Sequence, residues 1–306
     1  MVLDTADEVK LEEMSGQEKR QYLQQQCGLS EALKQREVVL LGDLPLHLEV
    51  YPAKVDDPVI IFIPGIGTYS ELYANFLLEF SQRGYNLVSL DLRGHGYSGG
   101  EAGFYTVEEV IKDMREVVDY CHERFNPTIH IWGNSLGAVL GLAAIEEIRS
   151  IKSIICHTLC TASCPPSYIH WQGWQNLNAW KWFMPWQKMD FRQFIDIKRQ
   201  MQGTPLVDYI EHDDLMIWEY SIGTLADVYN YRHRAVYKQQ AFKMALLVGE
   251  NDTVLSPNYE KNLIAEMVHP VELISIKNAC HMLPFTHAKE TVDASVKWLQ
   301  SNASVE

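Results

Sequence analysis

From position 37 onward, short runs of β-branched and other apolar residues alternate with longer stretches in which apolar residues recur every three or four places. Alternation of these two periods predicts a mainly parallel sheet with helices packed on its faces. The eight strand-like runs fall at 38–41, 46–50, 59–63, 86–90, 128–132, 153–157, 245–248 and 271–276. The third, Val59-Ile60-Ile61-Phe62-Ile63, is apolar at every position rather than every second one. That is the pattern of a strand covered on both faces, which places it near the middle of the sheet. Helical periodicity occupies 71–83, 107–125, 136–149, 258–267 and 288–300. Thr106 followed three places later by Glu109 marks the start of the second of these as a capping box.

Two segments break the alternation. Residues 1–36 are rich in Glu, Gln and Lys with a weak helical pattern, as expected of a solvated N-terminal helix with no further role. Between the sixth and seventh strands, residues 161–240 contain six of the chain's eight tryptophans: Trp171, Trp174, Trp180, Trp182, Trp186 and Trp218. The expected organisation is an N-terminal helical extension (1–36), a core made of 37–160 and 241–306, and a cap of 161–240 inserted after the sixth strand.

A chain of 306 residues can bury its own core, so the scattered Cys27, Cys121, Cys156, Cys160, Cys164 and Cys280 need not pair. Reduced thiols and a cytoplasmic location are expected. Asp4, Asp7 and Glu8 stand where a secretory signal carries positive charge. The longest strongly apolar stretches, 59–63 and 138–145, fall well short of the roughly 18–20 residues that span a bilayer, so no integral membrane segment is expected. The net charge of −14 leaves no basic field to condense on a phosphate backbone, and nucleic acid is not an expected partner. Cys156, Cys160 and Cys164 beside His157 are evenly spaced and lack the second close Cys/His pair of a zinc site. Cys156 falls on an expected buried strand, where a free thiol packs as a small hydrophobe; no metal is expected. Nothing in the pattern specifies an oligomeric state.

The candidate chemistry concentrates where the fifth strand meets the next helix. Gly133-Asn134-Ser135-Leu136-Gly137 joins the two, so the G-x-S-x-G pattern occurs in the strand–turn–helix context that gives it meaning. The turn is tight enough that its flanking positions must be small, and the serine stands exposed at a helix N-terminus. Gly96-Tyr97-Ser98-Gly99-Gly100 matches the same pattern without a strand immediately before it or a helix immediately after it, and Ser98 is expected to be structural. A serine hydroxyl needs a base within reach, and the base needs an acid to hold its tautomer. Asp252, just past the seventh strand, and His281, just past the eighth, supply them at the carboxyl edge of the sheet in the chain order Ser–Asp–His. Glu250 is a rival acid lying closer to its strand, and His287 a rival base at the start of the last helix, where a capping or solvated role is expected. Two N–H donors complete a candidate oxyanion hole. One belongs to Leu136, after the nucleophile, and the other to Ile66 in the small-residue loop Pro64-Gly65-Ile66-Gly67-Thr68.

Pro64-Gly65-Ile66-Gly67, Asp91-Leu92-Arg93-Gly94-His95-Gly96-Tyr97-Ser98-Gly99, the Ser135 elbow, Asp252 and His281 together resemble the α/β-hydrolase superfamily. The resemblance is to its monoacylglycerol lipase and lysophospholipase-like branch and covers residues 37–160 and 241–301. It implies an α/β-hydrolase fold, with an eight-stranded mainly parallel sheet and a helical cap after strand six. It also implies a cofactor-independent serine carboxylester hydrolase; the substrate is not carried over with it, and an apolar acyl or aromatic ester, monoacylglycerol- or lysophospholipid-like or small, is the expected one. Ser135 would attack the ester, His281 take its proton and Asp252 orient the imidazole. Pro64 and Asn134 depart from this branch, which commonly has histidine at both positions, and the Gly-Asn-Ser elbow is also similar to that of carbon–carbon bond hydrolases. A thioester or a vinylogous diketone is the alternative substrate. Non-catalytic binding on the same fold is a further alternative, against which the complete Ser–Asp–His set argues. Trp171, Trp174, Trp180, Trp182 and Trp186 are expected either to line an apolar channel over Ser135 or to form the cap's own core.

Overall fold

A computed structural model describes residues 14–302, apart from positions 127, 194, 195, 205, 208 and 209. Residues 1–13 of the expected extension and 303–306 of the expected core lie outside the described residues. Six strands come first: β1 (Glu37–Leu41), β2 (Leu46–Tyr51), β3 (Val59–Ile63), β4 (Asn86–Leu90), β5 (Ile129–Asn134) and β6 (Ile151–His157). A short antiparallel pair follows, β7 (Lys188–Asp190) with β8 (Glu219–Ser221), and then β9 (Lys243–Gly249) and β10 (Glu272–Ile276). All but the short pair form one sheet in the order β1-β2-β4-β3-β5-β6-β9-β10. β2 runs antiparallel to both β1 and β4, and every other pairing is parallel. The fully apolar β3 sits inside the sheet, as its pattern predicts.

Period-two alternation sorts the side chains of β3 into two cores. Val59, Ile61 and Ile63 face helices Val107–Arg124 and Leu136–Glu147, while Ile60 and Phe62 face helices Ala74–Ser81 and Ala288–Asn302. Each such buried side chain contributes about 1.5–3 kcal/mol. On the second face Phe62 stacks on Trp132 at 5.5 Å between ring centroids, and the Trp132 indole N–H donates to Ser295 Oγ at 3.1 Å. The Thr106 capping box forms as expected: Thr106 Oγ1 accepts the Glu109 N–H at 3.2 Å, and Glu109 returns the bond at 2.9 Å. The helix expected over 71–83 divides into a 3-10 turn, Ser70–Tyr73, and the α-helix Ala74–Ser81. Its first turn is pinned by Asp91, whose carboxylate takes the Ser70 N–H at 2.6 Å.

The N-terminal helix, Gly16–Gln26, corrects the expectation of a solvated rod. Ser15 and Glu18 form a capping box at its start. Arg20 then reaches across to Asp213 at 2.6 Å and also donates to the Tyr69 hydroxyl, while Leu23, Cys27, Leu29 and Ala32 are buried. Docking rests on Arg20, the pair of Lys19 with Asp214 at 2.9 Å and a few apolar contacts, a pattern too sparse to raise a helical period. Between β6 and β9, helix Tyr168–Trp180 packs on helix Ile222–Tyr229, where Trp174 stacks on Tyr229 at 5.2 Å. Among the described residues no helix is long and apolar enough to cross a membrane.

Candidate active site

Ser135 leaves β5 with φ 52° and ψ −113°, and Leu136 begins the helix that follows. A non-glycine residue held there costs of order 1–3 kcal/mol, so the surroundings must over-determine it. They do so by proximity. A Cβ on Gly137 would collide with the carbonyl oxygens of Ile63 and Pro64, and one on Gly133 with the backbone of Gly137 and Ala138. The Ser135 N–H donates to the carbonyl of His157 at 2.5 Å, which ties the elbow to the end of β6.

Asp252 and His281 arrive on separate loops at the same sheet edge. The Asn251 N–H donates to Ala279 O at 2.8 Å and the Glu250 N–H to Ile276 O at 3.0 Å, which clamps the two loops together. Asp252 Oδ1 accepts the N–H groups of Val254 (2.8 Å) and Leu255 (3.0 Å), while Oδ2 lies 2.7 Å from His281 Nδ1. Both side chains are buried. Burial alone would raise the Asp252 carboxyl, but the hydrogen bond and charge of His281, with smaller help from the Leu255 N–H, hold it below the ordinary carboxylate range. Glu250 is exposed and accepts the Asn278 N–H at 3.3 Å. His287 lies between the last two helices, 2.9 Å from Thr286 Oγ1.

Ser135 and His281 line one cleft of about 630 Å³, including its open mouth. Ile66, Phe191, Met201, Met216 and Phe285 contribute to its apolar wall, and among the described residues none that lines it is Asp, Glu, Lys or Arg. Among the described residues, neither the Ile66 nor the Leu136 N–H donates to a protein acceptor. Ser98 instead serves the loop: its hydroxyl donates to Asp91 O at 2.7 Å and accepts the His47 N–H at 2.8 Å.

The structure does not bring Trp171, Trp174, Trp180, Trp182 or Trp186 to this cleft. Trp174 is buried against Tyr229, and the other four are exposed, Trp182 by 79%. Helix Tyr168–Trp180 turns one narrow face inward, which leaves room for only one of its rings there. From this segment the wall takes Phe191, which borders the tryptophan-rich run, and Met201 and Met216 further along, two residues that sequence reasoning passed over because no dense run marks them. His157 was also missed as part of the site. It ends β6 at the edge that carries the nucleophile, and that position was the available signal. A ring nitrogen of His157, a carboxylate oxygen of Asp252 and a ring nitrogen of His281 lie within 4.8 Å of one another. Cys156 is fully buried in the core.

Residues 55–286 match the family model described as serine aminopeptidase, S33. The chain is 27% identical over 116 residues to an uncharacterized 31.7 kDa protein in the traX-finO intergenic region of Escherichia coli. That match spans 37% of this chain and only 41% of the relative's length. Among solved structures it is similar to the monoacylglycerol lipase of Paleococcus ferrophilus, with a TM-score of 0.70 at 21% identity over 85% of this chain and 100% of that one. It is similar also to a soluble variant of monoglyceride lipase from Saccharomyces cerevisiae in complex with a substrate analog (TM-score 0.69, 15% identity, 87% and 94% of the two chains). A third is the thioesterase domain from the curacin biosynthetic pathway (TM-score 0.61, 16% identity, 85% and 98%). At these identities the likeness is one of fold.

Proposed function

The chain belongs to the serine aminopeptidase S33 family of α/β hydrolases, and from that premise we propose that it is a serine carboxylester hydrolase for esters of apolar acyl or aromatic groups. The observation that carries the reading is the 2.7 Å contact of His281 with Asp252, in which the same imidazole lines the cleft that exposes Ser135. In this reading Ser135 Oγ attacks the ester carbonyl and its proton passes to His281 Nε2. Asp252 holds the tautomer and balances the imidazolium. The N–H groups of Ile66 and Leu136 take the oxyanion. Collapse expels the alcohol, which leaves with the proton from His281, and the acyl group stays on Ser135. Water then gives a proton to His281 as it attacks the acyl carbonyl, and collapse releases the acid while that proton passes from His281 to the departing Ser135 Oγ. No cofactor enters the cycle.

The wall of the cleft supports a neutral substrate. A free amino terminus would need a carboxylate to hold its ammonium away from water, and among the described residues the lining contains no Asp or Glu. Residues 161–240 are, in this reading, the cap: they contribute Phe191, Gln200, Met201 and Met216 to the cleft, over a core of 37–160 and 241–306. The test is hydrolysis of nitrophenyl esters of graded chain length, with an acyl thioester, a ring-cleavage diketone and an aminoacyl anilide alongside, in wild type and Ser135→Ala. Ester turnover should rise with chain length, by up to ~0.8 kcal/mol of binding per methylene, and vanish in the variant. Faster turnover of thioester, diketone or anilide would move the assignment to that class. Failure on all four would leave a binding protein.

A further inference from the structure

Four buried polar side chains behind the elbow form a hydrogen-bond chain with a single direction. The Gly65 carbonyl can only accept, so the Thr68 hydroxyl donates to it at 2.9 Å. Thr68 Oγ1 then accepts from the Tyr73 hydroxyl at 2.8 Å, and the Tyr73 oxygen accepts from Asn134 Nδ2 at 2.9 Å. That leaves Asn134 Oδ1 to accept from His157 Nδ1 at 2.6 Å. The proton of His157 is therefore on Nδ1, and Nε2 keeps a bare lone pair, buried and without a hydrogen-bond partner among the described residues.

Sheet order says where that lone pair points. Asn134 stands on β5, to one side of β6, and Asp252 follows β9, on the other; the nitrogen opposite the Asn134 bond is on the side of the acid and base. The His157 ring lies 5.3 Å from that of His281. Burial, and next the nearby His281, pushes His157 down to about 3, so near neutral pH it is an uncharged, fixed dipole. The ionisable groups that share this region are Asp252 and His281 on their loops and Glu260 on helix Pro257–Glu266. Burial raises the Glu260 carboxyl well above its ordinary range.

We propose that His157 is a positioning residue for the acid–base pair: Nδ1 fixes Asn134 and the loop of Gly65 and Ile66, while Nε2 favours the proton that His281 gains when Ser135 loses its own. The inference rests on the catalytic reading of Ser135, Asp252 and His281. In the protonated state the imidazolium has the Asp252 carboxylate on one nitrogen and the negative end of the His157 dipole nearby. Both groups are in place before the reaction begins, so neither must reorganise.

Two substitutions separate the two halves of this role. His157→Leu removes both nitrogens, whereas His157→Asn puts an amide N–H where Nδ1 stood and restores the bond to Asn134 without the second lone pair. His157→Leu should lower kcat about 10- to 100-fold with KM within about threefold, and His157→Asn should recover most of kcat. In both variants, NMR-monitored proton uptake by the coupled Asp252–His281 pair should move to lower pH by ~0.5 unit or more. An unmoved titration overturns the proposal, as does a His157→Asn enzyme as slow as His157→Leu. If His157→Leu does not fold, the titration of His157→Asn decides. A wild type that hydrolyses no ester defeats the catalytic reading, while the titration still decides what His157 does to the pair.

Discussion

Asp252 turns one carboxylate oxygen to the backbone and the other to His281. Oδ1 is taken by the N–H groups of Val254 and Leu255, which leaves Oδ2 at 2.7 Å from the imidazole. The orientation of the acid is thus set by its own loop before the histidine is considered.

Asp252→Asn keeps the two backbone bonds through its amide oxygen but loses the charge and the acceptor facing His281. Steady-state kinetics should show kcat lower by about 10³–10⁴, and the thermal midpoint near neutral pH should fall with the loss of the charge. Glu250→Gln, on an exposed side chain, should leave kcat within about twofold. The reverse ranking would make Glu250 the acid. Because the folded carboxyl of Asp252 is held low, the stability it contributes is complete above about pH 4 and is lost as pH falls through its folded value.

A fluorophosphonate probe should label wild type once per chain and fail on Ser135→Ala. Ser98→Ala should still label, at a cost of about 1–2 kcal/mol in urea unfolding for the two loop bonds it loses. Gly137→Ala should yield little folded protein, since its methyl meets the Ile63 and Pro64 carbonyls. A labelled, stable Gly137→Ala would mean that the elbow can open.

Most of this architecture is legible because it is periodic. Val59–Ile63 announces a covered strand by composition alone, and the glycines of the elbow are forced by the close approach of backbone to backbone. Asp252 and His281 are legible because strand ends deliver side chains to one edge. The tryptophans mislead because aromatic density reports burial or exposure without saying which face a helix turns inward. Arg20 and His157 act through a few contacts with residues distant in the chain, and isolated contacts leave no period to read.

Tryptophan substitutions should divide accordingly. Trp174→Ala, which empties the stack against Tyr229, should cost about 3–5 kcal/mol in denaturant unfolding. Trp182→Ala should stay within about 0.5 kcal/mol and leave chain-length preference alone. Preference should change instead in Met216→Ala or Phe285→Ala, read as kcat/KM across an ester series.

Acid should destabilise the protein once pH falls below the ordinary histidine value of about 6.5. Burial holds His95 and His130 down to about 4, and His157 and His233 down to about 3. Unfolded, each takes up a proton near its ordinary value of about 6.5, while the folded chain does not until far lower. Stability is therefore full above that value and falls as pH drops toward 4, with up to about four protons setting the slope. Urea midpoints measured from pH 7 to pH 5 should decline, and less steeply in His233→Leu. A flat profile would show that these rings are charged in the fold.

Arg20→Ala should remove the cation from Asp213, which is only 6% exposed, and cost about 3–5 kcal/mol. Pairing it with Asp213→Asn should recover part of the loss, and limited proteolysis should locate the first cut near the joint in the single variant. An unchanged thermal midpoint would mean that the helix merely rests on the surface.

The bond between Arg20 and Asp213 spans 193 positions, so it also orders events during synthesis. At about 5–20 residues per second, Arg20 waits roughly 10–40 s for its partner. Asp213 nonetheless leaves the ribosome before Asp252 and His281. The wall carrying Met201 and Met216 can be moored to the nascent chain while Ser135 still lacks both neighbours, and β9 and β10 then add to a sheet edge whose far side is already built. The elbow and the Met201 and Met216 side of the cleft come first, and the acid, the base and Phe285 are delivered to them last.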